Sequence, residues 1–159
     1  MEEILNYIKI DELISTSGQP TIEQFKKIKN EGFDVVINLA LCDSSNAIEN
    51  EDKIVTSLGL NYFHIPVDFE EPKIESVKLF LSIMSSLKEN KIWLHCALNY
   101  RVTAFMYLYH KHILNTPFEE INLSMFDEWT PSKKWQDLMK SSIKDLELLL
   151  ITANLVTFR

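Results

Sequence analysis

The chain has 159 residues, a formal net charge of −7, 46% hydrophobic and 25% charged residues. That length suits one domain with its own core, and the composition excludes a disordered chain. The acidic balance works against binding to nucleic acid or an anionic membrane, because both draw on Lys and Arg to neutralise phosphates.

The first residues, MEEILNYIKIDEL, lack a basic region followed by an apolar run, so they do not read as a secretory signal. Pro20 and Thr21 open a helix over Thr21–Glu31 that Gly32 closes. Asp34–Leu41 is β-branched and almost wholly apolar, the pattern of a strand covered on both faces. A second helix is expected over Ile48–Leu58, closed by Gly59, then a strand over Tyr62–Pro66. Ile74–Lys88 carries apolar residues at helical spacing (Val77, Phe80, Met84, Leu87) and leads into the strand Lys91–His95. Beyond it the pattern is helical throughout: Val102–Leu114, Phe118–Asp127 and Lys134–Asn154, separated by Pro117 and Pro131.

This alternation predicts a single α/β domain over residues 1–159, with a mostly parallel central sheet flanked by helices and a helical C-terminal part. Ligands of such sheets bind beyond the carboxyl ends of the strands. The segments after Leu41, Pro66 and His95 should therefore meet at one rim. The longest apolar stretch, Leu146–Val156, is interrupted by Glu147 and Asn154 and is too short to span a bilayer. Cys42 and Cys96 are too few for a disulfide framework and suit a reducing compartment. A soluble cytoplasmic protein is expected.

Chemistry concentrates in His95-Cys96-Ala97-Leu98-Asn99-Tyr100-Arg101, where a strand ends and a helix begins. A cysteine at a helix N-terminus faces unpaired N–H groups and the positive end of the helix dipole, which favour the thiolate. The same N–H groups can cradle an oxyanion, and Arg101 adds a planar, permanently charged fork. The plainer reading is a buried core cysteine and a surface arginine. The coincidence of all three features argues against it.

At these residues the sequence resembles the cysteine-dependent protein phosphatases, in particular the small bacterial dual-specificity-like group. Ser17-Gly18-Gln19-Pro20-Thr21, Val36-Ile37-Asn38-Leu39 and His64-Ile65-Pro66-Val67-Asp68 add to the likeness, which spans Leu13–Tyr109. The resemblance implies a phosphatase fold and hydrolysis of a phosphomonoester through a phosphocysteine, without metal or cofactor. Cys96 would be the nucleophile, and Arg101 would bind the phosphoryl oxygens together with the backbone of Ala97, Leu98, Asn99 and Tyr100. Asp68 would be the general acid, with Glu70 and Glu71 as alternatives. His95 and Thr103 would support the loop. By the same resemblance Cys42 is a candidate redox partner for Cys96. The expected ligand is a phosphorylated substrate or a small anion such as phosphate or sulfate.

The loop departs from the usual signature. Four residues, none of them glycine, separate Cys96 from Arg101, where the family commonly has five; Val102 stands where the arginine is expected and Thr103 where the hydroxyl belongs. A positive φ in this loop would be costly at Leu98 or Tyr100 and easier at Asn99. Two other readings stay open. A rhodanese-like sulfurtransferase uses a four-residue spacer, and a pseudophosphatase would bind an anion without turnover. The cluster Phe126, Trp129, Pro131 and Trp135 is expected to pack helices onto the sheet, His110 and His112 form no metal site, and Lys133 and Lys134 are expected to be solvated.

Overall fold

The computed structural model describes residues 1–121 and 124–146. Five strands form one sheet in the order β1-β2-β5-β3-β4: β1 Ile8–Lys9, β2 Ile14–Ser17, β3 Val35–Asn38, β4 Asn61–His64 and β5 Ile92–His95. Only β1 runs antiparallel, pairing with β2; every other pairing is parallel. The helices are α1 Ile22–Asn30, α2 Glu51–Ser57, α3 Ile74–Ser86, α4 Tyr100–Tyr109, α5 Met125–Glu128 and α6 Lys133–Met139. No helix among the described residues is long and apolar enough to cross a membrane.

Strand alternation divides the core into two layers. On one face Val35, Ile37, Ile92 and Leu94 pack with α3, α4 and α6, where Phe80, Phe105 and Trp135 are fully buried. On the other face Val36 and Trp93 pack with Phe25 and Ile28 of α1 and Val55 of α2. Register aligns the strand ends in a row, Ser17 beside His95, His95 beside Asn38, and Asn38 beside His64. This row is the rim expected from the sequence.

Local signals account for several boundaries. Thr21 and Gln24 close a reciprocal capping box at the start of α1, with bonds of 3.2 and 2.9 Å. Gly32 and Gly59 follow α1 and α2 in the left-handed region, at φ +83° and +76°.

The C-terminal part is more broken than the sequence pattern predicts. The helix expected over Val102–Leu114 spans Tyr100–Tyr109 and then widens into a π turn at His110–Leu114. Phe118–Asp127 is a 3-10 turn at Phe118–Glu120 followed by the short α5. In Lys134–Asn154, α6 stops at Met139, and Ser142 with Asp145 forms a new reciprocal cap; residues 147–154 lie outside those described. Strands β1 and β2 were not predicted.

Candidate active site

The loop from His95 to Arg101 joins β5 to α4, so strand alternation puts consecutive residues on opposite faces of the sheet. His95 faces α1 and α2, whereas Cys96 joins the α3–α6 side. Cys96 is a free thiol, 1% exposed, and its N–H continues the sheet by donating to the Ser17 carbonyl at 3.3 Å.

Asn99 solves the problem posed by a loop without glycine. It alone between Cys96 and Arg101 adopts positive φ, at 70°, and it is the N-cap residue of α4. Its amide donates to the Asn6 carbonyl at 2.8 Å and to the Thr16 hydroxyl at 3.0 Å. Asparagine tolerates this conformation better than other side-chain-bearing residues, and the two bonds hold it there. The loop carbonyls are fastened from outside. Ala97 accepts from the Gln19 N–H and the Asn46 amide, and Leu98 accepts from the Asn6 amide. Gly18 lies so close that a Cβ there would stand 2.9 Å from the Ala97 oxygen.

With its carbonyls turned to those partners, the loop leaves the N–H groups of Ala97 and Leu98 without an acceptor among the described residues. The first N–H groups of α4 add to them, because Asn99 makes no side-chain cap bond. Arg101 sits in that first turn at 8% exposure. Among the described residues no carboxylate pairs with it, and its Nε is buried without a partner. Its guanidinium lies over the Phe69 ring, 5.3 Å from the centroid. Ser44, Ser45, Phe69, Cys96, Ala97, Leu98, Tyr100 and Arg101 together line a cleft of about 310 Å³.

Phe69 and Tyr100 are fixed by the aromatic cluster. Tyr100 stacks on Trp129 at 5.3 Å, Phe69 touches both Trp129 and Trp135, and the Trp135 indole donates to the Phe69 carbonyl at 2.8 Å. The tryptophans thus pack the C-terminal helices onto the domain and also hold the cleft's aromatic wall.

Behind the loop, the His95 ring is fully buried with Nε2 3.1 Å from Oε1 of Glu51, itself 6% exposed. Glu51 also accepts from the Asn38 amide at 2.9 Å, the Tyr62 hydroxyl at 2.8 Å and the Gln19 amide. Burial alone would raise the Glu51 pKa. The close approach of the His95 imidazole, with the bonds from Tyr62 and Gln19, outweighs it and leaves the carboxyl below its ordinary value of 4.5. Burial and the Glu51 charge push the Tyr62 phenol upward, which keeps it a donor.

Other expected residues lie elsewhere. Asp68 is exposed and does not line the cleft; its Oδ1 accepts the N–H groups of Glu70 and Glu71 at 2.8 and 3.3 Å. Glu71 pairs with Lys134 and Lys133 with Asp137, all exposed. The Thr103 hydroxyl donates to the Asn99 carbonyl at 2.8 Å, within its own helix. Cys42 is exposed and lines a separate cavity of about 630 Å³ with Glu51, Tyr62 and His64. Sequence reasoning missed Glu51, Tyr62, Asn6, Asn46, Phe69 and the serines of the cleft. Gln19 and Asn38 stood inside the segments that carried the resemblance, with no role attached to them.

A family model described as "DSP-PTPase phosphatase fused to NAD+ Kinase" matches residues 8–140. The chain belongs to this family. Among solved structures, a DUF442 protein from Shewanella putrefaciens CN-32 is 32% identical, with 93% of this chain and 95% of that one covered at a TM-score of 0.81. Two more distant structures share the fold. The core catalytic domain of the PP-IP phosphatase SIW14 from S. cerevisiae, in complex with citrate, is 13% identical, covers 98% of this chain and 97% of its own, and has a TM-score of 0.70. TpbA from P. aeruginosa, in complex with pTyr, is 12% identical, covers 92% and 91%, and has a TM-score of 0.69. No curated protein matches in sequence. The family and these structures place the chain in the cysteine-dependent phosphatase superfamily, with the dual-specificity and tyrosine phosphatase fold.

Proposed function

We propose that the chain hydrolyses phosphomonoesters through a phosphocysteine formed on Cys96. The observation that carries this reading is the buried Arg101 guanidinium, unpaired among the described residues, on the wall of the cleft that Cys96 lines. A buried cation without an anion is costly, so the cleft favours an anionic ligand. A phosphoryl group meets Arg101 and the free N–H groups around the start of α4. The Cys96 thiolate attacks phosphorus, the bond from phosphorus to the leaving oxygen breaks, and that oxygen takes a proton from Asp68. Water, giving a proton back to Asp68, then cleaves the sulfur–phosphorus bond to release phosphate and the thiolate.

A specific observation favours a second reading, anion binding without turnover. Asp68 caps its own turn outside the cleft, so proton delivery requires its loop to rearrange. Assays of wild type, Cys96→Ser and Asp68→Asn on an aryl phosphate, and in parallel on thiosulfate with cyanide, separate the readings. Phosphate release that falls by a factor on the order of 10⁴ in Cys96→Ser supports hydrolysis. Thiocyanate formation instead would indicate sulfur transfer. No turnover in either assay, with vanadate still bound, would indicate the noncatalytic module.

A further inference from the structure

Behind the reactive loop, the Glu51 carboxylate is taken out of water by α2 and the rim of the sheet. A buried carboxylate is tolerated when hydrogen bonds and a compensating charge surround it. Three of its partners, Asn38, Tyr62 and Gln19, are neutral donors. The fourth neighbour is the His95 imidazole, with Nε2 at 3.1 Å. No Lys or Arg pairs with Glu51 among the described residues.

Among the described residues, the elements around His95 leave no competing ion pair. From α1 the Phe25 ring meets it edge-on at 5.6 Å; β2 and β3 bring Ser17 and Asn38 alongside; β4 contributes Tyr62 through Glu51. Arg101 lies with Cys96 in the cleft, and Asp52, the next carboxylate on α2, reaches Tyr62 only through its charge. The ring is therefore clamped between Phe25 and Glu51, one peptide bond before Cys96.

We propose that Glu51 is a positioning residue for Cys96, acting through His95: it holds the imidazole in one orientation against Phe25, and so fixes the end of β5 from which the nucleophile's loop departs. A loop held in that shape keeps its unpaired N–H groups and Arg101 turned toward the thiol, where they favour the thiolate. The proposal rests on Cys96 being the reactive group, and its test needs no phosphatase turnover.

The test is the rate of Cys96 alkylation by iodoacetamide against pH, read by peptide-resolved mass spectrometry to separate Cys96 from Cys42. The variants are Glu51→Gln, Glu51→Asp, Asp52→Asn, His95→Gln and the double variant Glu51→Gln/His95→Gln. Glu51→Gln is expected to move the midpoint of the profile up by about one pH unit, Glu51→Asp to restore most of it, and Asp52→Asn to leave it within roughly 0.3 unit. In the His95→Gln background, Glu51→Gln should produce no further upward movement. The proposal is overturned if the Glu51→Gln midpoint stays at the wild-type value, if Asp52→Asn moves it as far, or if the upward movement persists without His95. Should Glu51→Gln fail to fold, His95→Gln alone must raise the midpoint, and an unchanged profile there overturns the proposal. Aryl phosphatase inactivity with the expected alkylation shifts would leave the positioning role standing and count against the hydrolytic reading alone.

Discussion

The two sides of the β5–α4 loop are built on opposite principles. Behind it, four side chains converge on Glu51, and the carbonyls of Ala97 and Leu98 are taken up by Gln19, Asn46 and Asn6. In front, Arg101 and the N–H groups of Ala97 and Leu98 face a cleft of about 310 Å³ with no protein partner among the described residues. The difference teaches where the fold invests its polar bonds. Rear contacts hold the loop's shape, and the donors in front have no acceptor among the described residues.

The largest expected effect comes from breaking the front wall. Trp135→Ala removes a fully buried indole, its contacts with Phe69, Phe105 and Trp129, and the bond to the Phe69 carbonyl. A loss of about 3–5 kcal/mol is expected from such a truncation, read as a fall in the urea midpoint. A change below about 1 kcal/mol would mean that the tryptophan does not hold this wall.

Pressing on the loop from the β2 side should do less to stability and more to the loop. The added Cβ of Gly18→Ala meets the Ala97 oxygen at 2.9 Å and Leu5 at 3.0 Å, so the loop carbonyl or Leu5 must shift. Overpacking of this kind costs about 1–3 kcal/mol. Vanadate affinity should fall along with stability; undiminished affinity would show that Leu5 yields instead.

The smallest effect sharpens the comparison through pH. Because the folded Glu51 pKa lies below 4.5, the stability it contributes is fully present above that value and is lost as pH falls through the folded pKa. Below about pH 4.5, the wild type should gain more stability with rising pH than Glu51→Gln does. Urea unfolding at several pH values measures the two slopes, and equal slopes would mean that Glu51 is not held ionised by its partners.

Local patterns revealed much of the frame before its contacts were visible. The apolar run of β3, the start of α1 at Pro20 and Thr21 and the spacing of Val77, Phe80 and Met84 in α3 are readable because each signal lies within one element. Strand β2 was hidden because its sequence, Ile-Ser-Thr-Ser, is polar, and it is buried only because it lies between β1 and β5. The break after α6 had a readable sign in Ser142 and Asp145, spaced as a helix cap within a run that looked continuous.

Within the site, Cys96, Arg101 and the positive φ of Asn99 were legible, since they belong to one short segment. Glu51 was not. In sequence it is an ordinary acidic residue at a helix start, and only the sheet brings it to His95 across a separation of 44 positions. Phe69 was overlooked beside Asp68, yet it is Phe69 that forms the cleft wall.

Under the proposed function, the front of the loop is an anion site built on Arg101. Calorimetric titration of orthovanadate into the wild type and Arg101→Ala tests it most directly. One bound vanadate per chain is expected, weakened by roughly 100-fold in the variant, in line with the loss of a charge-assisted, bidentate contact. Equal affinity in the two proteins, or no binding to a folded wild type, would contradict the account.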